Sequence, residues 1–423
     1  MFKSIINAFK IPDLRKKILY TIMLMVVFRL GSHVPVPGLN AAALSDAVNG
    51  LDMLSLMDMI SGGALSQATI FAMSITPYIN SSIIMQLLTV AVPALERLSR
   101  QGEEGRKKIG QYTRALTIVL AFIQSTGMYF GLKNAVNNPG ILTYLTVILS
   151  LTAGTAFLMW LGEKITDKGI GNGISLIIFA GIVCRLPQMV VQMVGNIQGG
   201  ALNWLGALVL IVASIALIGA IVWMNDAERR IPVQYAKRVV GRKMYGGQST
   251  HIPIKVSMAG VIPIIFAMSI MSFPATIMQL FGKTTSGGVG GWIMTHIFGY
   301  GSIGYMILYF LLILFFTFFY TKIQFNTVEI ANNMKNNGGF IPGIRPGRST
   351  SEFIEKSLNK ITLAGAVFIA LVALFPMIIA AIFGLSSFGI GGTSVLIVVG
   401  VVLETRKQIE SQMMVRHYKG FLE

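Results

Sequence analysis

Two things are scarce in this chain of 423 residues: cysteine and charge. Cys184 stands alone, so no internal disulfide and no cysteine-based metal cluster can form. His33, His251, His296 and His417 are far apart, with no HExxH spacing and no paired intramembrane aspartates, which argues against metalloprotease and aspartyl protease chemistry. Gly282-Lys283-Thr284 has the ending of a phosphate-binding loop, but Ile277 stands where that loop needs glycine. Gly169-Ile170-Gly171-Asn172-Gly173 lacks the dinucleotide spacing and follows no strand; its glycines suit a tight turn before a helix. Nothing in the chain argues for an enzyme, a metal or a cofactor. Only 12% of residues are charged, against about 25% in soluble domains. The 17 acidic residues fall in loops or near helix ends, whereas ion-coupled transporters and proton pumps keep an Asp, Glu or His at mid-membrane.

What fills the chain instead is apolar sequence, 54% of all residues. A hydrocarbon core of about 30 Å needs about 20 apolar residues per helix. Ten such stretches fall near 18–36, 68–92, 112–132, 141–162, 174–195, 203–224, 257–280, 304–324, 361–383 and 391–409. The expected fold is an all-α integral membrane protein with ten spans. An odd number of spans per half makes any repeat antiparallel in the membrane, as in transporters with inverted repeats. The halves are 1–195 and 196–409, followed by a tail at 410–423. Arg29 reads as the only charge in the middle of a span, with no partner visible in the sequence; an unpaired one costs at least about 2.5 kcal/mol.

Basic residues set the orientation. With the N-terminus inside, thirty of the 34 lysines and arginines lie in cytoplasmic segments, and inverting the topology reverses that ratio. Lys3, Lys10, Arg15, Lys16 and Lys17 precede a first run long enough to span and lacking a small-residue cleavage site, so it reads as a retained helix with both termini cytoplasmic. The net charge of +17 suits anionic lipid headgroups. Loops 225–256 and 325–360 are longer than orientation requires. Arg230, Lys237, Arg242 and Lys243 in the first, and Arg345 in the second, suggest docking of a large acidic partner, protein or RNA.

Residues 51–66 (LDMLSLMDMISGGALS) are apolar yet too short to span. They read either as a short helix on the outer surface or as an insert folding into a cavity, where protein or water satisfies its backbone. The second span carries Thr76-Pro77-Tyr78-Ile79-Asn80-Ser81-Ser82 and Gln86; the seventh carries Pro263 and Pro274. Such spans read as kinked, partly polar walls that move.

Ordered along the chain, Phe28-Arg29-Leu30-Gly31, Val34-Pro35-Val36-Pro37-Gly38, Ser61-Gly62-Gly63-Ala64-Leu65-Ser66, Thr76-Pro77-Tyr78-Ile79 and Gly102-Glu103-Glu104-Gly105-Arg106-Lys107-Lys108 resemble the bacterial SecY family. So do Trp160-Leu161-Gly162-Glu163-Lys164-Ile165-Thr166, Gly169-Ile170-Gly171-Asn172-Gly173-Ile174-Ser175, Tyr235-Ala236-Lys237-Arg238, Ser249-Thr250-His251-Ile252-Pro253-Ile254-Lys255, Phe273-Pro274-Ala275-Thr276, Pro342-Gly343-Ile344-Arg345-Pro346-Gly347 and Gly391-Gly392-Thr393-Ser394. Each motif is weak alone; the ordered set is specific.

The resemblance implies a protein-conducting channel in the bacterial plasma membrane: a ten-helix clamshell around a central pore. It would pass unfolded secretory preproteins and release transmembrane segments sideways. It implies a pore ring at Ile75, Ile79, Ile174, Ile178, Ile265 and Ile397, and a plug in which Leu56, Met57, Asp58, Met59, Ile60, Ser61, Gly62 and Gly63 lie. It implies a lateral gate between the second and seventh helices, with Asn80, Gln86, Asn172 and Phe273 along it. The implied partners are the small subunits SecE and SecG, the motor ATPase SecA, the ribosome with its RNA, signal sequences and nascent chains, with no small-molecule substrate. Hydrogen bonds of about 0.6 kcal/mol each would hold such a gate shut weakly enough for a signal sequence to open it. An ion-coupled secondary transporter with broken helices is the alternative; it needs a polar site and acids at mid-membrane that the sequence does not supply.

Overall fold

The computed structural model describes residues 9–50, 58, 61–131, 135–200, 203–235, 238–240, 243–245, 249–280, 292–293, 296–299, 301–383 and 392–419. Helix α1 (Pro12–Gly31) is followed by the short α2 (Ala41–Gly50). The second expected span starts later than its hydropathy suggests. Residues 61–75 run as tight turns, with Ala68 and Ser74 at positive φ, and α3 (Thr76–Ala91) begins only then. Pro77 therefore starts this helix in its first turn rather than kinking it, because its missing N–H is one the helix cannot use there. Sixteen residues rise about 24 Å. The chain then bends by 103° at Val92 into α4 (Pro93–Ser99).

Four long helices continue: α5 (Glu103–Gly131), α6 (Ile141–Lys168), α7 (Gly173–Gln198) and α8 (Trp204–Asp226). Loop 225–256 contains strands β1 (Glu228–Tyr235), β2 (Arg238–Val240), β3 (Lys243–Tyr245) and β4 (Ser249–Lys255). Helices α9 (Ile262–Leu280), α10 (Ile303–Gln324) and α11 (Thr327–Asn336) precede β5 (Gly339–Phe340), then α12 (Arg348–Phe383) and α13 (Gly392–Lys419). A helix thus occupies part or all of every one of the ten apolar stretches. Five pass a strict length-and-composition test for crossing a membrane among the described residues: those within α6, α7, α8, α10–α11 and α12. The others fall short for local reasons. Helix α1 holds four basic residues, α3 is short and rich in Ser, Thr and Asn, and α13 turns charged after Leu403. That last helix runs on to Lys419, so the expected tail at 410–423 is helical over most of its length.

Two large apolar cores fill the molecule. One is built from α8, α9, α10, α12 and α13, around Tyr309, Ile313, Phe316 and Ala370. The other gathers α1, α6 and α7 around Phe28, Leu158, Leu161 and Ile177. Ile79 and Val261 pack against both.

The two basic loops join in one sheet. Strand β1 lies between β4 and β5, pairing Ile231 with Ile252 on one edge and Gln234 with Phe340 on the other. Ile231, Val233, Ile254, Met334, Ile341, Ile354 and Leu358 form a small core of their own beneath this sheet. Alternate residues of β1 point into it, as a half-buried strand requires.

Candidate functional site

Six isoleucines from four parts of the chain meet in the second core. Ile75, Ile178 and Ile397 are buried in it, and Ile79, Ile174 and Ile265 pack against it part-exposed. Ile75 precedes α3 as its cap and Ile79 sits one turn in. Ile174 and Ile178 lie one turn apart at the start of α7, on one face. Ile265 opens α9, and Ile397 lies in α13. Helix α7 packs on α13, and α3 on α9, so the cluster lies where the two cores meet. All six side chains are apolar and β-branched, hence stiff at χ1. An apolar constriction of this kind excludes water and, with it, ions.

Beside this cluster lies the turn-rich stretch from Ser61; of the short apolar run before it, 51–57, 59 and 60 lie outside the described residues. Of the anticipated plug residues, Asp58, Ser61, Gly62 and Gly63 are described and buried, whereas Leu56, Met57, Met59 and Ile60 lie outside the described residues. Gly62 and Gly63 take φ of +70° and +89°, which side chains rarely adopt. Gly62 sits so close to α7 that a Cβ there would stand 2.9 Å from the Gly181 Cα. Further along, the Ile70 carbonyl presses on Gly154 of α6, and the Phe71 ring stacks between Phe28 and Phe157, 6.0 Å from each.

The charges here correct the sequence reading. Arg29 does have a partner: its Nη1 donates to the Gly62 carbonyl at 3.2 Å. Nor is it the only charge inside a span. Arg185 lies within α7 and pairs with Asp58, Nη2 to Oδ2 at 2.7 Å, their side chains 18% and 1% exposed. The other oxygen of Asp58 accepts the Ser66 N–H at 2.8 Å.

The anticipated gate residues behave less uniformly. Asn80 is buried in α3, and its Oδ1 has no hydrogen-bond partner. Gln86 donates to Ser82 within the same helix at 3.4 Å. Asn172 caps α7, accepting from the Ile174 and Ser175 N–H groups. Among the described residues, no hydrogen bond of these three bridges α3 to another helix; Asn172 is drawn to the free N–H groups of its own helix start instead. Phe273 lies in α9, next to Pro274.

On the loops, Arg230 is exposed on β1 with Nε bonded to Glu228 at 2.8 Å. Lys243 begins β3, whereas Lys237 and Arg242 lie outside the described residues. Arg345 is exposed at the turn after β5. Gly343 and Gly347 flank it at φ +82° and +106°, and its carbonyl accepts the Thr350 hydroxyl at 2.9 Å. Ile341 and Ile344 anchor that turn in the small core, so the arginine sits on a fixed tip.

The SecY family model matches residues 69–406. The protein translocase subunit SecY of Halalkalibacterium halodurans is 47% identical over 439 residues, covering 100% of both chains. A solved structure described as that of a protein conducting channel superposes with a TM-score of 0.67 at 19% identity, over 94% of this chain and 92% of that one. Sec61 in the canine ribosome–channel complex from the endoplasmic reticulum superposes at 0.62 and 18% identity, over 94% and 92%. The chain shares their fold.

Proposed function

The chain belongs to the SecY family, and from that premise we propose how its own residues serve as the channel. It is a multi-pass membrane protein, the protein-conducting subunit of a translocase, which passes unfolded preproteins across the membrane and releases transmembrane segments into it. The secondary-transporter alternative falls with family membership.

Ile75, Ile79, Ile174, Ile178, Ile265 and Ile397 are the constriction. The observation behind this assignment is their meeting in one apolar cluster where the two cores adjoin, from segments otherwise far apart in sequence. An apolar ring offers no polar group to a passing side chain, so it seals without preferring any sequence. The segment at Asp58 and 61–66 is the plug, closing the same path a second time. A hydrophobic signal sequence leaves the path sideways between α3 and α9, since each CH₂ moved from water to lipid gains about 0.8 kcal/mol. Asn80, with its unpartnered oxygen, and Phe273 lie along that seam; Gln86 and Asn172 flank it.

The two halves, 1–195 and 196–409, move as the leaves of the clamshell. Both termini and the β1–β4–β5 sheet face the cytoplasm, where the positive-inside rule puts the basic loops. Arg345 on its fixed tip, backed by Arg230, Lys237, Arg242 and Lys243, docks the driving partner, a SecA-type motor or the ribosome and its RNA; guanidinium suits carboxylate and phosphate alike. SecE- and SecG-type small subunits and anionic lipids complete the assembly.

The test is conductance of the reconstituted protein. Ile265→Lys and Ile397→Asn wet the constriction, raise ion leak and let preproteins with defective signals through. Unchanged leak in both variants would sink the ring assignment.

A further inference from the structure

We infer that Asp58 and Arg185 form a latch that ties the turn-rich segment to α7 and holds while the site is dry. The inference rests on the plug reading above, and adds the positioning residues and the means of release.

The carboxylate of Asp58 does two jobs at once. Its Oδ1 closes the segment on itself through the Ser66 N–H at 2.8 Å, and its Oδ2 reaches across to Arg185 at 2.7 Å. The Asp58 carbonyl also accepts the Gly63 N–H and the Ser61 hydroxyl, each at 2.9 Å, so the turn is organised around this one residue. Arg185 lies four residues after Gly181, on the same face of α7. Gly181 is the point where Gly62 touches the helix backbone. Backbone contact and ion pair therefore fix the same segment to the same helix face, one turn apart. Arg29 of α1 also holds the Gly62 carbonyl at 3.2 Å. Ala64, Leu65 and Ala68 are buried, but small or aliphatic side chains pack without specifying one register; the charges do specify it.

The pair also carries a release rule. Opposite charges in a dry, low-dielectric site attract strongly, and the same charges in water attract many times less. An arginine inside an apolar helix and a carboxylate with 1% exposure hold each other because the carboxylate has no water as an alternative. When the ring parts and water enters, each charge gains a hydration shell and the attraction collapses. Wetting of the ring and release of the segment are thereby one coupled event, not two.

The experiment is hydrogen exchange by mass spectrometry on the full-length protein in lipid nanodiscs, with Asp58→Asn, Arg185→Gln and the double variant. Asn keeps an oxygen for the Ser66 N–H and removes the charge and the acceptor that face Arg185. Each single variant should speed exchange across 61–69 by about tenfold or more, while α10 stays as protected as before. The double variant should add little to either single one, because both remove the same interaction. Arg185→Lys, which keeps a cation, should stay near the parent rate. Unchanged exchange in both singles, or a double effect equal to the product of the two, overturns the latch. Ion leak measured in parallel separates the two ideas: coupled acceleration with unaltered leak leaves the latch standing and refutes the segment as a seal.

Discussion

The isoleucine cluster and the segment beside it are built on opposite principles. The cluster uses one side chain type from four places, and its members bring no polar group to the contact. The segment uses glycines at positive φ, a buried carboxylate and two arginines, and its contacts are directional. An apolar ring yields to anything apolar and narrow enough, and closes again without needing a register. A segment pinned by charge has one seated position and leaves it all at once. On the function proposed above, the two in series give a barrier that is both tolerant of sequence and decisive about being open.

Charge placed in the ring should break this contrast most severely. Ile178 is buried in that cluster, with 3% exposure. Ile178→Lys should raise the leak of reconstituted channels at least about tenfold, since a cation there recruits water or destabilises its surroundings by several kcal/mol. A tight channel in that variant would show that Ile178 is ordinary core.

Next in size is Gly62→Val. It forces a β-branched residue to φ +70° and pushes a Cβ to 2.9 Å from the Gly181 Cα. The expected cost is about 1–3 kcal/mol, read as faster exchange over 61–69 and a leak raised severalfold, less than in Ile178→Lys. Equal or greater leak than the ring variant would mean that the segment, not the ring, is the main barrier.

Ile79→Val sharpens the comparison from the other side. It keeps the ring apolar and removes one methylene, so thermal stability should fall by about 0.5–1.5 kcal/mol and leak should stay near the parent value. A large leak would show that shape, rather than dryness, makes the seal.

Arg345→Glu should affect leak least, because the arginine lies on the turn after β5, beside the small core of the loop sheet. It should still cut partner-driven preprotein translocation severalfold and change its salt dependence, by reversing charge at a fixed tip. Normal translocation with the same salt dependence would remove Arg345 from the docking face.

Sequence reasoning reached the helices readily, because a run of about 20 apolar residues has few other solutions. It missed the strands in loop 225–256, although Ile231, Val233 and Tyr235, and Ile252 and Ile254, alternate as a half-buried strand does. Their charged neighbours drew attention to orientation instead. Arg185 was hidden by averaging, since one arginine barely lowers the hydropathy of α7, and no local pattern says that its partner is Asp58. The grouping of the six isoleucines was legible only through the family resemblance. Each isoleucine by itself looks like core, and only the fold brings the six together.

Cross-linking of an arrested, unfolded preprotein with one cysteine tests the central claim most directly. Cysteines are placed singly at 75, 79, 174, 178, 265 and 397, and at the outward-facing Val212 and Trp223, 57% and 74% exposed, after Cys184→Ser. A lining ring gives adducts from all six of these positions and none from the two outward ones. Adducts confined to one of the two cores, or formed as readily at Val212 and Trp223, would contradict it.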